Sequence, residues 1–152
     1  MTTILVSLAN VLAVSLLVGA IFGIWLGYNP VNFSPTAYLE QQQHAIRALN
    51  VTMPRLGKIG TLLTVASAVL ARDDRLAFTL LMAAVVCLLV AGLVTRFGNQ
   101  PINAKVMTWS VQTMPTNWTT FRDEWWKWHI VRTLAGIVGL SLLIVGTLVE
   151  RR

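Results

Sequence analysis

Two histidines and one arginine are the side chains of this 152-residue sequence best suited to chemistry. His129 is followed three residues later by Arg132, and the other histidine, His44, comes four residues after Glu40. A neutral imidazole has a pKa close to working pH and can take up a proton, and a guanidinium can stabilise an oxygen that becomes negative. These residues predict acid–base chemistry, with His129 as the first candidate and His44 as the second.

Amide and indole side chains accompany these candidates. The amides of Asn99 and Asn103 could stabilise the same negative oxygen as Arg132. By spacings of four and three, Trp125, His129 and Arg132 share one helix face. Indole rings offer flat apolar walls for a planar ligand, here from Trp125, Trp126 and Trp128. A membrane-interface belt would also explain the tryptophans, but not the polar residues on their face.

A metal-dependent mechanism is the competing hypothesis. His44, His129 and Glu40 could together supply two imidazoles and a carboxylate, the ligand set typical of mononuclear non-haem iron, and copper would also accept the imidazoles. Because the chain has only two histidines, a site that needs more imidazoles would require a homo-oligomer. The residues leave copper, non-haem iron and a cofactor-free mechanism open.

The composition indicates a membrane protein. Hydrophobic residues make up 55% of the chain and charged residues 12%, against about a quarter charged in soluble domains. The formal net charge is +6, but long apolar runs leave no basic face or motif for nucleic acid. In a membrane protein such cations lie at the lipid headgroups. The predicted partner is therefore a lipid bilayer and not nucleic acid.

Four apolar runs predict an all-α fold, an integral membrane four-helix bundle that forms one domain over residues 1–152. The predicted spans are approximately 4–28, 54–71, 76–97 and 129–149. The second is short for a bilayer and requires Arg55 and Lys58 to extend towards the headgroups. Polar connections at 29–53 and 98–128 then emerge on one side, which brings both histidines to one end of the bundle. Lysine and arginine are more numerous there, which would place the connections in the cytoplasm. Because several of these cations could instead serve chemistry, the orientation stays open.

Three local features complete the predicted fold. Ser34 and Pro35 predict the N-cap and first turn of a short amphipathic helix at the membrane interface. Its polar face, either solvated or turned towards a site, consists of Glu40, Gln43, His44 and Arg47. A capping box at residues 120–123 predicts the start of an extended fourth helix that runs to Val149. In the first helix, Gly19, Gly23 and Gly27 predict a face for close helix packing.

Two motifs resemble those of the anthrone oxygenase-like family of small four-helix membrane proteins. They are Asn99-x-Pro101-x-Asn103 and Trp125-x-x-Trp128-His129-x-x-Arg132-Thr133. The resemblance extends over essentially the whole chain and includes Gln42-Gln43-His44 followed by a proline before the second span. It implies oxidation of an anthrone to an anthraquinone, in which a proton leaves a carbon activated by an aromatic ketone and O2 is the oxidant.

The predicted function is a membrane-embedded oxygenase or oxidase that acts on a small, apolar, planar aromatic or phenolic substrate. The candidate catalytic residues are His129, His44, Arg132 and Asn103. The candidate substrate-binding residues are Asn99, Trp125, Trp126, Trp128, Gln43 and Arg47. The alternative is a non-catalytic membrane protein that binds an apolar ligand or stabilises a larger complex, because tryptophan-rich surfaces also bind partner proteins.

Overall fold

Helices make up most of the chain between residues 2 and 150, the part that the computed structural model describes. Six α-helices follow one another, namely α1 (Thr2–Gly27), α2 (Pro35–Leu49), α3 (Thr52–Leu70), α4 (Arg75–Val94), α5 (Gln100–Val106) and α6 (Trp118–Val149). A short 3-10 turn at Pro30–Asn32 follows α1, and a π-helical turn at Thr95–Asn99 joins α4 to α5. The all-α prediction is confirmed, but the helices are more numerous than predicted.

Four of these helices pack side by side in a ring. Helix α1 contacts α3 and α6, and α4 contacts the same two helices from the other side. The centre of the ring is apolar, with Val14, Ala68, Leu81 and Leu143 fully or almost fully buried. In a water-soluble protein such a core stabilises the fold mainly because its side chains are removed from water. Within lipid the stabilisation comes mainly from close packing of the helices.

A buried polar contact also joins α1 to α3. The Asn10 amide donates to Ser67 Oγ at 3.0 Å, and Thr64 Oγ1 donates to Asn10 Oδ1 at 2.9 Å. All three side chains are at most 2% exposed. Because a polar group is expensive to bury without a partner, this contact fixes the register of the two helices.

Three helical segments are long and apolar enough to cross a membrane: Thr3–Asn32, Arg75–Val106 and Trp118–Val149. The sequence pattern predicts a fourth span at 54–71, which is not among these three segments. Helix α3 has 19 residues and carries the exposed cations Arg55 and Lys58 near its start. It contributes to the ring, but its most apolar stretch does not reach the hydropathy of the three segments that could cross a membrane.

The start of α2 follows the prediction, and that of α6 does not. Ser34 Oγ accepts a hydrogen bond from the Ala37 N–H at 3.3 Å, as expected of an N-cap. Helix α6 begins at Trp118 after Asn117, whose side chain makes no capping bond, so the predicted capping box at residues 120–123 is wrong. The predicted polar connection at 98–128 is also largely helical, since it contains α5 and the first turns of α6.

The predicted packing face of α1 makes no close contact within the described chain. Within the described part of the chain, nothing lies within 4 Å of a Cβ built on Gly19, Gly23 or Gly27. Close approaches to α4 occur along α6, where a Cβ at Gly146 would lie 3.0 Å from Leu81 Cγ. The glycines of α6, not those of α1, therefore allow tight contact with α4.

Candidate functional site

The side chains of His129 and Arg132 form a contact pair on α6. Arg132 Nε lies 3.1 Å and Nη2 2.9 Å from His129 Nδ1, and the third nitrogen, Nη1, lies 3.5 Å from Thr95 Oγ1 in the π-helical turn. The histidine is fully buried and the arginine is partly buried. A spacing of three residues places the two side chains on the same face of the helix, as the sequence predicts.

This contact determines which nitrogen of His129 carries a proton. A guanidinium has N–H donors and no acceptor, so Nδ1 must accept from Arg132. The neutral imidazole then carries its proton on Nε2. His129 Nε2 is buried and makes no hydrogen bond within 3.5 Å in the described part of the chain, although the backbone of Ile21 lies near the imidazole. In this arrangement the imidazole accepts from the guanidinium at Nδ1 and carries its own donor at Nε2.

Two tryptophans hold the imidazole from the preceding helical turn. The Trp125 ring is parallel to that of His129, with an interplanar angle of 1° and centroids 5.2 Å apart. The Trp126 ring lies 5.4 Å from the imidazole at 20°. The Arg132 guanidinium carbon is 5.8 Å from the Trp125 centroid. The aromatic stack therefore restricts both members of the histidine–arginine pair.

The π-helical turn lies directly against Trp128 of α6. A Cβ on Gly98 would lie 2.6 Å from Trp128 Cγ, so any residue other than glycine would force the indole or the turn to shift. The next residue, Asn99, is fully buried and donates through Nδ2 to the Trp125 carbonyl at 3.0 Å, while its Oδ1 has no partner among the described residues. The extra residue of a π turn commonly marks a functional site.

A polar network connects α6 to α1, α2 and α5. Asn103 Oδ1 accepts from Trp125 Nε1 at 2.8 Å and from Gln42 Nε2 at 3.4 Å. Gln42 Oε1 in turn accepts from the Tyr28 hydroxyl at 2.7 Å, and Asn103 Nδ2 donates to Asn50 Oδ1 at 3.1 Å. Asn103 is thus a hub that positions Trp125, and through it His129.

A cavity of about 830 Å³ reaches the pair from the opposite side. Its walls are apolar side chains from α1, α3 and α4, such as Leu17, Ile21, Leu62 and Leu88. At one end the lining becomes polar, with Lys58, Thr95, Arg96, Gln100 and Arg132. An apolar cavity with a few convergent polar groups is typical of a small-molecule site. Arg132, rather than His129, is the member of the pair that lines it.

The remaining predicted residues lie apart from this pair. His44, Glu40 and Arg47 are exposed on α2, and Trp128 is 38% exposed where it covers Gly98. Gln43 Nε2 donates to the carbonyls of Val106 and Trp109, both at 3.0 Å, and so fixes the connection after α5 to α2. The structure thus brings together part of the predicted set, which is His129, Arg132, Asn99, Asn103, Trp125 and Trp126.

The predicted metal ligands do not fit a metal. Within residues 2–150, no group of three His, Cys, Asp or Glu side chains is arranged to hold an ion, so Glu40, His44 and His129 do not form one. His44 is exposed and His129 is fully buried. An imidazole that binds a metal through Nε2 normally donates its Nδ1 proton to a neighbour, and the guanidinium at Nδ1 cannot accept one.

Three polar residues of the site, Gln42, Tyr28 and Thr95, are not among the predicted site residues. Gln42 has a detectable signal, since its spacing from Leu39 and Ile46 places it on the apolar face of α2, where an amide is unexpected. Tyr28 and Thr95 have no such signal, because a lone polar residue at the end of an apolar helix is common.

Outside the site and the spans, burial raises the pKa of the Tyr38 hydroxyl, which therefore stays protonated. The ring centroids of Tyr38 and Trp118 lie 5.2 Å apart.

Together these features define an all-α protein with helices able to cross a membrane and a buried histidine–arginine pair beside an apolar cavity. The family model described as anthrone oxygenase matches residues 43–142, from α2 into α6. Because the match extends over more than half of the chain, the protein belongs to the anthrone oxygenase family. No curated protein and no solved structure matches the chain significantly.

Proposed function

We propose that this protein is a multi-pass membrane oxygenase that oxidises a planar aromatic ketone of the anthrone class with O2. The observation that carries the proposal is Arg132, a cation at the polar end of an apolar cavity, with two of its nitrogens directed to His129. Membership of the anthrone oxygenase family supports the same reaction class. The apolar walls suit a substrate that partitions into lipid.

The proposed reaction begins at the CH2 group that lies opposite the ketone in the substrate ring. Loss of one proton to a base gives an enolate, whose negative oxygen is stabilised by the Arg132 guanidinium. The enolate passes one electron to O2, and the two radicals combine to form a carbon–oxygen bond. After the peroxide takes up a proton, loss of water leaves a second ketone. In sum, CH2 and O2 become C=O and H2O.

The role proposed for His129 is to position Arg132. The predicted role as base needs an unprotonated Nε2, which requires the proton to move to Nδ1 and displace the Arg132 contact. As an acceptor at Nδ1, the imidazole directs the guanidinium towards the cavity and leaves Nη1 beside Thr95. Asn99 and Asn103 support this arrangement through Trp125.

The test is turnover of a simple anthrone by the purified protein in lipid nanodiscs, followed as O2 consumption and quinone formation. We expect Arg132→Gln to lower kcat/KM about 100-fold or more, because an oxyanion loses its charged donor. The matched control is Arg55→Gln, which removes an exposed cation of α3 that does not line the cavity. If the wild-type protein shows no turnover, or if Arg132→Gln remains fully active, the proposal is wrong.

A further inference from the structure

The polar end of the cavity carries cations from three parts of the chain and no acid. Lys58 comes from α3, Arg96 from the π-helical turn and Arg132 from α6. None of the acidic residues between 2 and 150 lines the cavity. The cavity therefore combines apolar walls with an uncompensated positive end, which favours a ligand that is apolar over most of its length and anionic at one end.

Two of these cations have no partner among residues 2–150. Arg132 is engaged by His129 and Thr95, and in the proposed reaction it stabilises the enolate. Among the described residues, Lys58 and Arg96 make no ion pair and no side-chain hydrogen bond; Arg96 only lies 5.9 Å from the ring centroid of its neighbour Phe97. Both side chains are exposed at the cavity and free to bind an anion.

We propose that Lys58 and Arg96 bind an anionic oxygen group on the substrate, a carboxylate or an ionised phenol remote from the reacting carbon. This inference rests on the proposed function and narrows its substrate class to acidic, planar aromatic ketones. A planar ring system fills the apolar part of the cavity, and its acidic substituent meets cations from two different helical segments. A guanidinium can bind a carboxylate through two hydrogen bonds, and an ammonium adds a point charge.

The experiment compares two fluorescent probes that cannot be turned over, anthracene-2-carboxylate and the neutral 2-anthracenemethanol, whose substituents lie on an outer ring away from the position of the ketone and the reacting carbon. Binding to the full chain in phosphatidylcholine nanodiscs is followed by energy transfer from tryptophan. The readout is the ratio of the two dissociation constants, because lipid partitioning affects each probe equally in every variant. We expect the preference for the carboxylate to fall about tenfold in the double variant Lys58→Gln, Arg96→Gln, as the loss of two exposed charge contacts implies. Arg55→Gln should leave it unchanged.

Two outcomes overturn the inference. A ratio that is the same in the double variant and the wild type would mean that Lys58 and Arg96 only extend to the membrane surface. A lipid headgroup is the other source of an anionic oxygen, and native mass spectrometry in mixed phosphatidylcholine and phosphatidylglycerol tests it. If the wild type retains phosphatidylglycerol and the double variant does not, the cations bind lipid instead of substrate.

Failure of this inference is distinguishable from failure of the proposed function. The probe ratio measures binding alone, whereas turnover of a neutral anthrone measures catalysis alone. An unchanged ratio together with anthrone turnover rejects the acidic substituent and leaves the oxygenase intact. A tenfold fall in the ratio without turnover of any anthrone supports the anion site and rejects the oxygenase.

Discussion

Arg132 donates two N–H groups to a single nitrogen of His129, at 3.1 Å and 2.9 Å. This relationship predicts that two conservative replacements of the histidine differ in activity. In His129→Asn the amide oxygen lies near the position of Nδ1 and can still accept from Arg132, whereas in His129→Gln the amide reaches the position of Nε2. We expect His129→Asn to retain kcat/KM within about tenfold of the wild type and His129→Gln to lose about 100-fold.

The same pair of variants separates a positioning role from a base role. A general base contributes about 10²–10⁴-fold, and neither amide can take up a proton. If His129 abstracts the proton, both variants should therefore lose activity to the same extent. The pH profile adds a second criterion, because replacement of a base removes its limb from the profile, whereas replacement of a positioning residue does not. Thermal unfolding of both variants in detergent controls for misfolding.

The contact between Gly98 and Trp128 predicts a stability difference between two glycine positions. A Cβ on Gly98 would lie within 3 Å of three atoms of the Trp128 ring, so Gly98→Ala forces the indole or the π turn to move. Overpacking of this kind costs about 1–3 kcal/mol. The matched control is Gly92→Ala in α4, where nothing among the described residues lies within 4 Å of the added carbon. We expect a lower unfolding temperature for Gly98→Ala and an equal or higher one for Gly92→Ala, where the loss of chain entropy on folding becomes smaller.

A rise in unfolding temperature for Gly98→Ala would contradict this account of the π turn. It would mean that Trp128 moves away freely and that the close approach of the two helices has no role in holding the site. Activity of the same variant gives an independent measure, since Asn99 follows directly and contacts the Trp125 carbonyl.

The apolar helices could be predicted from the sequence because each is a long, nearly unbroken run of apolar residues. Runs such as 4–28 and 76–97 exceed the length of a bilayer core, and the structure has helices α1 and α4 there. Helix α3 is the exception, because Arg55 and Lys58 reduce its hydropathy although its packing resembles that of the others. A pattern of hydropathy identifies lipid-compatible segments and does not identify every helix of the ring.

The region from Asn99 to Pro101 could not be predicted in the same way. Its amides and proline are typical of a loop, yet Pro101 lies in the first turn of α5, which continues directly from the π-helical turn at Thr95–Asn99. The π-helical turn before it has no sequence signal, since its formation depends on the packing of Gly98 against Trp128. The face shared by Trp125, His129 and Arg132 was predictable, because it depends only on helical spacing.

Local spacing also could not reveal which predicted residues would meet across helices. His44 and His129 fall at the same end of the bundle by topology, but α2 presents His44 to the outside and Gln42 to the interior. The orientation of α2 about its own axis is decided by burial of Tyr38, Leu39 and Ile46. Gln42, the amide between these apolar residues, was therefore the feature of α2 that indicated which polar side chain enters the site.

The hydrogen bond from Trp125 Nε1 to Asn103 Oδ1, at 2.8 Å, predicts a measurable coupling. Trp125→Phe removes the donor and retains an aromatic ring, and Asn103→Ala removes the acceptor together with its contacts to Gln42 and Asn50. In a double-mutant cycle on the free energy of unfolding, the other losses cancel and the coupling remains. We expect about 1 kcal/mol, the net contribution of a neutral hydrogen bond. A coupling of zero would show that Asn103 does not hold Trp125.

The Arg132 contact at His129 Nδ1 also predicts that turnover does not depend on an iron or copper ion bound to the two histidines. A metal at Nε2 would require a protonated Nδ1 directed at a guanidinium that has only donors, and His44 and Glu40 are exposed on α2. We expect dialysis against a strong chelator to leave kcat/KM unchanged. Elemental analysis should give the same metal content for the wild type, His44→Ala and His129→Ala. Near-stoichiometric iron or copper in the wild type that disappears in either variant, with activity restored when the ion is added back to the chelated wild type, would contradict the arrangement of this pair.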